Sequence, residues 1–156
     1  MILKPILKSW GKKLSHRFNL FCENYGRPLT FVFEPGKFLV SKSGYFLTKV
    51  NGIKQTTYTV FAQVDSGFNH FIRPMLYGAQ HHIENISNSE RKPRFYYFVG
   101  YICETDNFAN NCRINEIKEG DVLAFHNAGA YCFMMAAITI HVTNTLKCSR
   151  IMEHRI

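Results

Sequence analysis

The chain has 156 residues, 46% of them hydrophobic and 15% aromatic, enough for a packed domain and unlike the composition of a disordered chain. It contains no run of about 18 apolar residues that could span a membrane. Met1-Ile2-Leu3-Lys4-Pro5 lacks the apolar stretch of a signal peptide, so the cytoplasm is the expected compartment and no membrane partner is expected. The net charge of +8 suggests nucleic acid until its distribution is read. Residues 1–20 carry Lys4, Lys8, Lys12, Lys13 and Arg17 without an acid, and residues 138–156 carry Lys147, Arg150 and Arg155 against Glu153. The 117 residues between hold 11 basic and 10 acidic side chains, so no basic working face is built and no nucleic-acid partner is expected.

Along the chain, Trp10, Leu14, Phe18, Phe21, Cys22 and Tyr25 follow a helical stripe, with Lys12, Lys13, Arg17 and Glu23 on other faces. Gly26 and Pro28 end this helix, predicted over about residues 8–25. Residues 29–33, Leu-Thr-Phe-Val-Phe, read as a strand buried on both faces. Residues 1–36 thus resemble one helix–strand unit of an α/β barrel, which cannot close a barrel alone. From residue 37 the texture becomes β. Residues 38–50, 57–65, 95–102, 121–126 and 131–137 are rich in β-branched and aromatic residues. Asn51-Gly52, Ser66-Gly67 and Glu119-Gly120-Asp121 are among the turn signals between them. Residues 37–137 are predicted to form a barrel or sandwich, interrupted at 72–86 by a segment with room for a short helix.

Four segments could carry chemistry. Glu34-Pro35-Gly36-Lys37 follows the apolar run; glycine admits close approach to the backbone and the lysine suits an anion, although Pro-Gly is also a common plain turn. Arg73 and Tyr77 lie four apart, on one face of a helical turn, and could hold a carboxylate, or could be a surface arginine covered by an aromatic ring. Cys103-Glu104-Thr105-Asp106 places a thiol beside carboxylates; a thiol can give a proton and a carboxylate can grip an ammonium, while the alternative is a buried structural cysteine among solvated acids. In Asn127-Ala128-Gly129-Ala130-Tyr131 the small residues would let the Tyr131 hydroxyl enter a tight pocket, or Tyr131 is a core strand residue. Five cysteines without a paired zinc spacing, and an adjacent His81-His82 pair, give no metal site.

In this order the four segments resemble the C-terminal part of the fold-type-III decarboxylases that use pyridoxal phosphate, and among them the diaminopimelate decarboxylases of bacterial lysine synthesis. The resemblance runs from about Trp10 to Ala137, and Cys103-Glu104-Thr105 with Gly129-Ala130-Tyr131 is its most specific part. Glu104, where ornithine decarboxylases typically carry aspartate, leans toward diaminopimelate as substrate. The resemblance implies a mainly β C-terminal module preceded by the last helix–strand unit of a TIM-type barrel. It also implies a homodimer with shared active sites. It places Glu34, Pro35, Gly36, Lys37 and Tyr131 at the cofactor, and Lys37, Arg73, Tyr77, Glu104 and Tyr131 at the amino-acid substrate. It makes Cys103 the proton donor to the α-carbon. Lys37 stands where the family has arginine, keeping the charge and losing the bidentate fork. Asp106-Asn107-Phe108 departs from the family pattern and receives no role. The cofactor-binding lysine belongs to the family's barrel, so the 156 residues by themselves are expected to be inactive. Two other readings stay open: a decarboxylase of another basic amino acid, and a non-catalytic β module serving dimerisation or regulation.

The resemblance stops at Ala136. The family continues Asn-Tyr-Asn-Ser-Arg and then Glu-Val, whereas this chain reads Ala137-Ile138-Thr139-Ile140-His141-Val142. Read from the third base of the Ala137 codon, the degenerate codons admit Asn-Tyr-Asn-Ser-Arg. In the same frame, Thr145-Leu146-Lys147-Cys148 admits Pro-Glu-Val at the expected distance. Residues 138–156 are therefore expected to be an out-of-frame tail.

Overall fold

The computed structural model describes residues 3–88 and 90–137. The chain divides into two units, Met1–Pro35 and Gly36–Ile156. The tail expectation, for residues 138–156, lies outside the described residues.

The first unit is helix α1, Leu3–Tyr25, closed where Gly26 takes a left-handed φ of 79° and its N–H reaches Cys22 O at 3.1 Å. The helix starts earlier than the apolar stripe predicts. Phe18 packs on Phe31 with ring centroids 5.3 Å apart. The expected strand at 29–33 does not form: no described residue pairs with it, and Phe31, Val32 and Phe33 are exposed. A strand needs a neighbouring ladder for its N–H and C=O groups, and an apolar run alone does not supply one. Among the described residues no helix is long and apolar enough to cross a membrane.

The second unit is mainly β. A short helix α2, Gly36–Val40, and a 3-10 turn, Ser41–Ser43, lead into β1, Phe46–Gln55. Then follow β2, Val60–Val64; α3, Arg73–Tyr77; β3, Ile83–Asn85; β4, Pro93–Val99; β5, Asn107–Asn115; β6, Val122–Phe125; and a 3-10 turn, Phe133–Met135. The strand order is β3-β6-β1-β2-β4-β5, and β3 comes back against β5, so the six strands nearly close a barrel. The β2–β4 pair is parallel and the other pairs are antiparallel.

Strand β1 holds the two sides of this barrel together. Its first half pairs with β6, Phe46 opposite Phe125, and its second half with β2, Gln55 opposite Val60. The register shifts between Val50 and Gly52, so the Asn51-Gly52 turn signal marks a bulge inside a strand. The chain reverses instead at 56–59, where Thr56 N–H reaches Thr59 O at 2.8 Å. Thr48 and Val50 face inward while Leu47 and Lys49 face out, the alternation of a strand covered on one side.

Other boundaries moved for reasons of the same kind. Residues 38–43, expected in a strand, are helical because their groups are satisfied locally: Ser41 Oγ donates to Lys37 O at 2.7 Å and Ser43 Oγ to Val40 O at 2.7 Å. Residues 131–137 are not a strand either; Tyr131 has φ 59° and a 3-10 turn follows. Strands β3 and β5 went unread, β5 because Asn107, Asn110, Asn111 and Asn115 mask its alternation.

Four rings form the centre of the core. Phe71 stacks on Phe46 at 4.7 Å, and Phe125 stands edge-on to Phe46, Phe71 and Phe108 at 5.6–5.7 Å. Phe71 and Phe125 are fully buried, as are Tyr96, Phe98, Leu123 and Val50. The Tyr96 hydroxyl accepts the Ile117 N–H at 3.0 Å, which satisfies the polar end of a buried ring. His81 packs on Phe71, and its Nδ1 lies 2.8 Å from His126 O, to which it donates. Burial first, then the charges of Arg73 and Lys37, hold the His81 imidazole below its ordinary 6.5. Burial also lowers His70, whose Nδ1 lies 2.8 Å from Ser66 Oγ.

Two outcomes follow for stability. Phe125→Ala is expected to lose about 3–5 kcal/mol in urea denaturation, much of what a domain this size has, while Tyr58→Ala changes it by less than about 0.5 kcal/mol. An intact urea midpoint for Phe125→Ala would show that the four-ring core is not the one described. The histidine shifts give a pH sign. The unfolded chain takes up protons on His70 and His81 near their ordinary 6.5, and the folded chain resists, so stability falls as pH drops below that value. Urea midpoints at neutral pH and one to two pH units lower are expected to diverge, and to converge in a His70→Gln/His81→Gln double variant.

Candidate functional site

The predicted site residues of the second unit fall into two groups. The first gathers around α2, α3 and the 127–132 loop. Ala128 N–H donates to Gly44 O and Gly129 N–H to Ser41 O, both at 2.9 Å, so the loop lies directly on the backbone before β1. A Cβ on Gly129 would run into Val40 O and Ser43 Oγ, and a Cβ on Gly44 would come within 3.0 Å of Gly129 Cα; this contact requires both glycines. The close approach carries Tyr131 toward α2, where its hydroxyl lies 3.9 Å from the position a Cβ on Gly36 would take. Asn127 and Tyr131 both hold a left-handed φ of 59°, a conformation that costs non-glycine residues energy and concentrates at functional loops.

Arg73 begins α3. It is buried to 7% exposure, its guanidinium lies over the Tyr77 ring at 5.5 Å, and its Nε has no hydrogen-bond partner. The i,i+4 pairing is as expected, but the arginine is buried rather than on the surface. Among the described residues no carboxylate forms an ion pair with Arg73 or Lys37. Both charges reach His81 and Cys132, so they converge on one corner of the barrel. Burial pushes the Cys132 thiol up to about 11, its Sγ donates to Ala130 O at 3.4 Å, and it stays a neutral packing group. This corner is a positive, partly desolvated place with unused donors, the chemistry an oxyanion requires. It fits the phosphate or carboxylate of a pyridoxal-phosphate–amino-acid pair.

The second group is the connection between β4 and β5. Cys103, Glu104 and Thr105 form an exposed tip between Ile102 and Asp106, which are 8% and 7% exposed. No described hydrogen bond links Cys103 or Glu104 to the Lys37–Arg73 corner. Cys103 is an exposed free thiol and not the buried structural cysteine of the alternative reading. Glu34 and Pro35 are exposed residues of the first unit, and Gly36 and Lys37 open the second. Among the described residues no three His, Cys, Asp or Glu side chains converge as a metal site.

The sequence reading missed Asp106 and His81. Asp106 is the buried carboxylate at the base of the exposed tip, and its signal was the pair of glycines, Gly67 and Gly100, that leave room for it. His81 sits beside Arg73 with its Nε2 buried and unpartnered, and an adjacent histidine pair gave no reason to separate it from His82.

This architecture has known relatives. The sequence profile described as the pyridoxal-dependent decarboxylase C-terminal sheet domain matches residues 37–129. A diaminopimelate decarboxylase of Pseudomonas aeruginosa is 43% identical over 113 residues, 72% of this chain and 27% of that protein. One from Methanothermobacter thermautotrophicus is 46% identical over 114 residues, 72% of this chain and 26% of that protein. The crystal structure of diaminopimelate decarboxylase from M. jannaschii in complex with L-lysine superposes with a TM-score of 0.67 at 33% identity, over 78% of this chain and 28% of that one. The chain therefore spans between a quarter and a third of the length of these relatives. Its matched sheet, with six strands nearly closed around the four-phenylalanine core, places it among the pyridoxal-dependent decarboxylases, of which it carries the C-terminal sheet domain.

Proposed function

We propose that this chain supplies the C-terminal part of the active site of a diaminopimelate decarboxylase, which releases carbon dioxide from meso-2,6-diaminopimelate to leave L-lysine. The observation that carries the proposal is the buried Arg73 guanidinium, unpaired at Nε and lying over the Tyr77 ring, with the Lys37 charge acting on the same His81 that Arg73 does. A buried cation without a carboxylate is costly unless an anion arrives to meet it. Pyridoxal phosphate, when bound, supplies an electron sink for the bond that breaks. The residues of this chain do the rest. Lys37 and Arg73 would hold the anionic groups of cofactor and substrate, with Gly36 leaving room at the backbone. Glu34 would accept a hydrogen bond from the protonated ring nitrogen of that cofactor. Tyr77 covers the Arg73 guanidinium, and the Tyr131 hydroxyl donates to the same anions. Cys103 Sγ holds the proton that returns to the α-carbon. Glu104 accepts from the ammonium at the far end of the substrate.

Cys103 and Glu104 stand on an exposed tip with no described link to the Lys37–Arg73 corner. This supports a homodimer in which the tip of one subunit completes the other subunit's site. The N-terminal 70% or so of the relatives' length, unmatched here, is where the covalent lysine is proposed to lie. The 156 residues alone are accordingly expected to release no carbon dioxide from meso-diaminopimelate. Mixed with the N-terminal region of the Pseudomonas aeruginosa relative, the chain is expected to gain turnover, which Arg73→Met lowers by at least about 10-fold. Turnover by the chain alone, or a complemented enzyme that prefers ornithine or arginine, would overturn the proposal.

The tail belongs to the same proposal. Two family segments recovered in one shifted frame support the loss of a single base near codons 136–137. Resequencing the locus is expected to show that one inserted base restores Asn-Tyr-Asn-Ser-Arg, and a locus where no single-base shift does so removes the idea.

A further inference from the structure

Asp106 is the one buried carboxylate among the described residues, and its bonds are all to backbone or within its own loop. Its Oδ1 accepts Phe68 N–H at 2.8 Å and its Oδ2 accepts Ile102 N–H at 2.9 Å. Its main-chain carbonyl accepts Gly100 N–H at 2.9 Å, which closes the base of the 101–105 loop. Tyr101 completes the junction, its N–H donating to Ser66 O at 3.1 Å and its hydroxyl to Asn69 Oδ1 at 3.3 Å. The space for the carboxylate is made by two glycines. A Cβ on Gly100 would overlap the Asp106 carboxylate, and a Cβ on Gly67 would lie 2.7 Å from its Oδ2 and 2.9 Å from Asn69 Oδ1.

The two segments joined this way are the ones that lead to the two groups of site residues. The 66–71 turn runs within two residues into Arg73 and so into α3. The 101–105 loop carries Cys103 and Glu104 at its tip. Both N–H groups held by the carboxylate are otherwise without a strand partner, since neither Phe68 nor Ile102 lies in a ladder.

We propose that Asp106 is a positioning residue: its carboxylate clasps the Cys103–Glu104 loop to the turn that precedes Arg73, and so fixes the direction in which the thiol and the carboxylate of Glu104 are presented. The proposal rests on the roles given above to Cys103 and Glu104. Asp106 touches neither substrate nor cofactor; it acts through the loop. A loop tip with exposed residues and few packed side chains has many near-equal conformations, and two bonds from one buried anion at its base select among them. Displacement of a proton donor by about an ångström is enough to cost orders of magnitude in rate.

The test begins with the chain itself. In Asp106→Asn the amide keeps one acceptor and turns its NH2 toward a backbone donor, so one of the two clasping bonds is lost. Iodoacetamide is applied well below the melting temperature and the rates at Cys103 and Cys22 are followed by mass spectrometry. The Cys103 rate is expected to change by about threefold or more while the Cys22 rate holds. Gly67→Ala, which displaces the carboxylate without removing it, is expected to reproduce the effect. In the complemented decarboxylase, Asp106→Asn is expected to lower kcat by at least about tenfold with a smaller change in KM. If either variant melts earlier yet Cys103 reacts as in the parent and kcat is retained, Asp106 is a stabilising residue only and the proposal is overturned. Where one variant fails to fold, the other decides by the same rates. If the parent chain yields no decarboxylase on complementation, the functional reading fails by itself, and the alkylation rates still decide the clasp.

Discussion

Phe46, Phe71, Phe108 and Phe125 meet at centroid distances between 4.7 and 6.2 Å, and the segments of the second unit that carry chemical groups lie close in sequence to these rings. Phe71 precedes Arg73 by two residues. Phe108 follows Asp106 by two. Phe125 leads through His126 and Asn127 to the Gly129–Tyr131 loop, and Phe46 anchors the strand that follows α2. Aromatic packing is short-ranged and sensitive to angle, so a cluster of this size fixes the exit directions of the loops as well as the stability of the core. The polar groups then need to control only a few residues each.

Those polar groups use three different means. The 127–132 loop is placed by bare backbone contact between Gly129 and the 40–44 segment, which carries Tyr131 toward Gly36. Arg73 is placed by burial beside the core, with Tyr77 over its guanidinium, so its charge is desolvated without being neutralised. The Cys103–Glu104 tip is placed from below by Asp106. Burial pushes the Asp106 carboxyl up, and the N–H groups of Ile102 and Phe68 pull it back down. Its acceptance of two backbone donors is what makes a buried anion tolerable there. The unit thus carries a cationic corner around Arg73 and an exposed thiol–carboxylate tip at Cys103–Glu104.

Much of this was legible in the amino-acid order, because it depends on local chemistry. The helix stop at Gly26, the four-residue spacing of Arg73 and Tyr77, the change to β texture after Lys37 and the motifs around Cys103 and Tyr131 are all set by neighbours within a few positions. The resemblance of the chain to the pyridoxal-dependent decarboxylases is borne out by the match over residues 37–129. The errors share one cause. Residues 29–33, 38–43 and 131–137 have strand-like composition, but whether such a run becomes a strand depends on a partner far away in the chain. Strand β5 shows the converse: four asparagines hide its pattern, and pairing with β4 makes it a strand regardless.

What the sequence by itself determined, then, is the set of chemical groups and their family: a thiol beside a carboxylate, an arginine four residues from a tyrosine, and a glycine-rich approach to another tyrosine. Only the tertiary structure decided which of them are buried, which share a corner and what holds them there. Arg73 reads equally as a carboxylate holder or a surface residue until the fold is seen to bury it, and Asp106 reads as one more solvated acid until Gly67 and Gly100 are seen to make its cavity. The physical reason is that burial and desolvation belong to the packed whole. A side chain's charge and shape are written at its own position, but the dielectric and the donors around it come from residues distant in the chain.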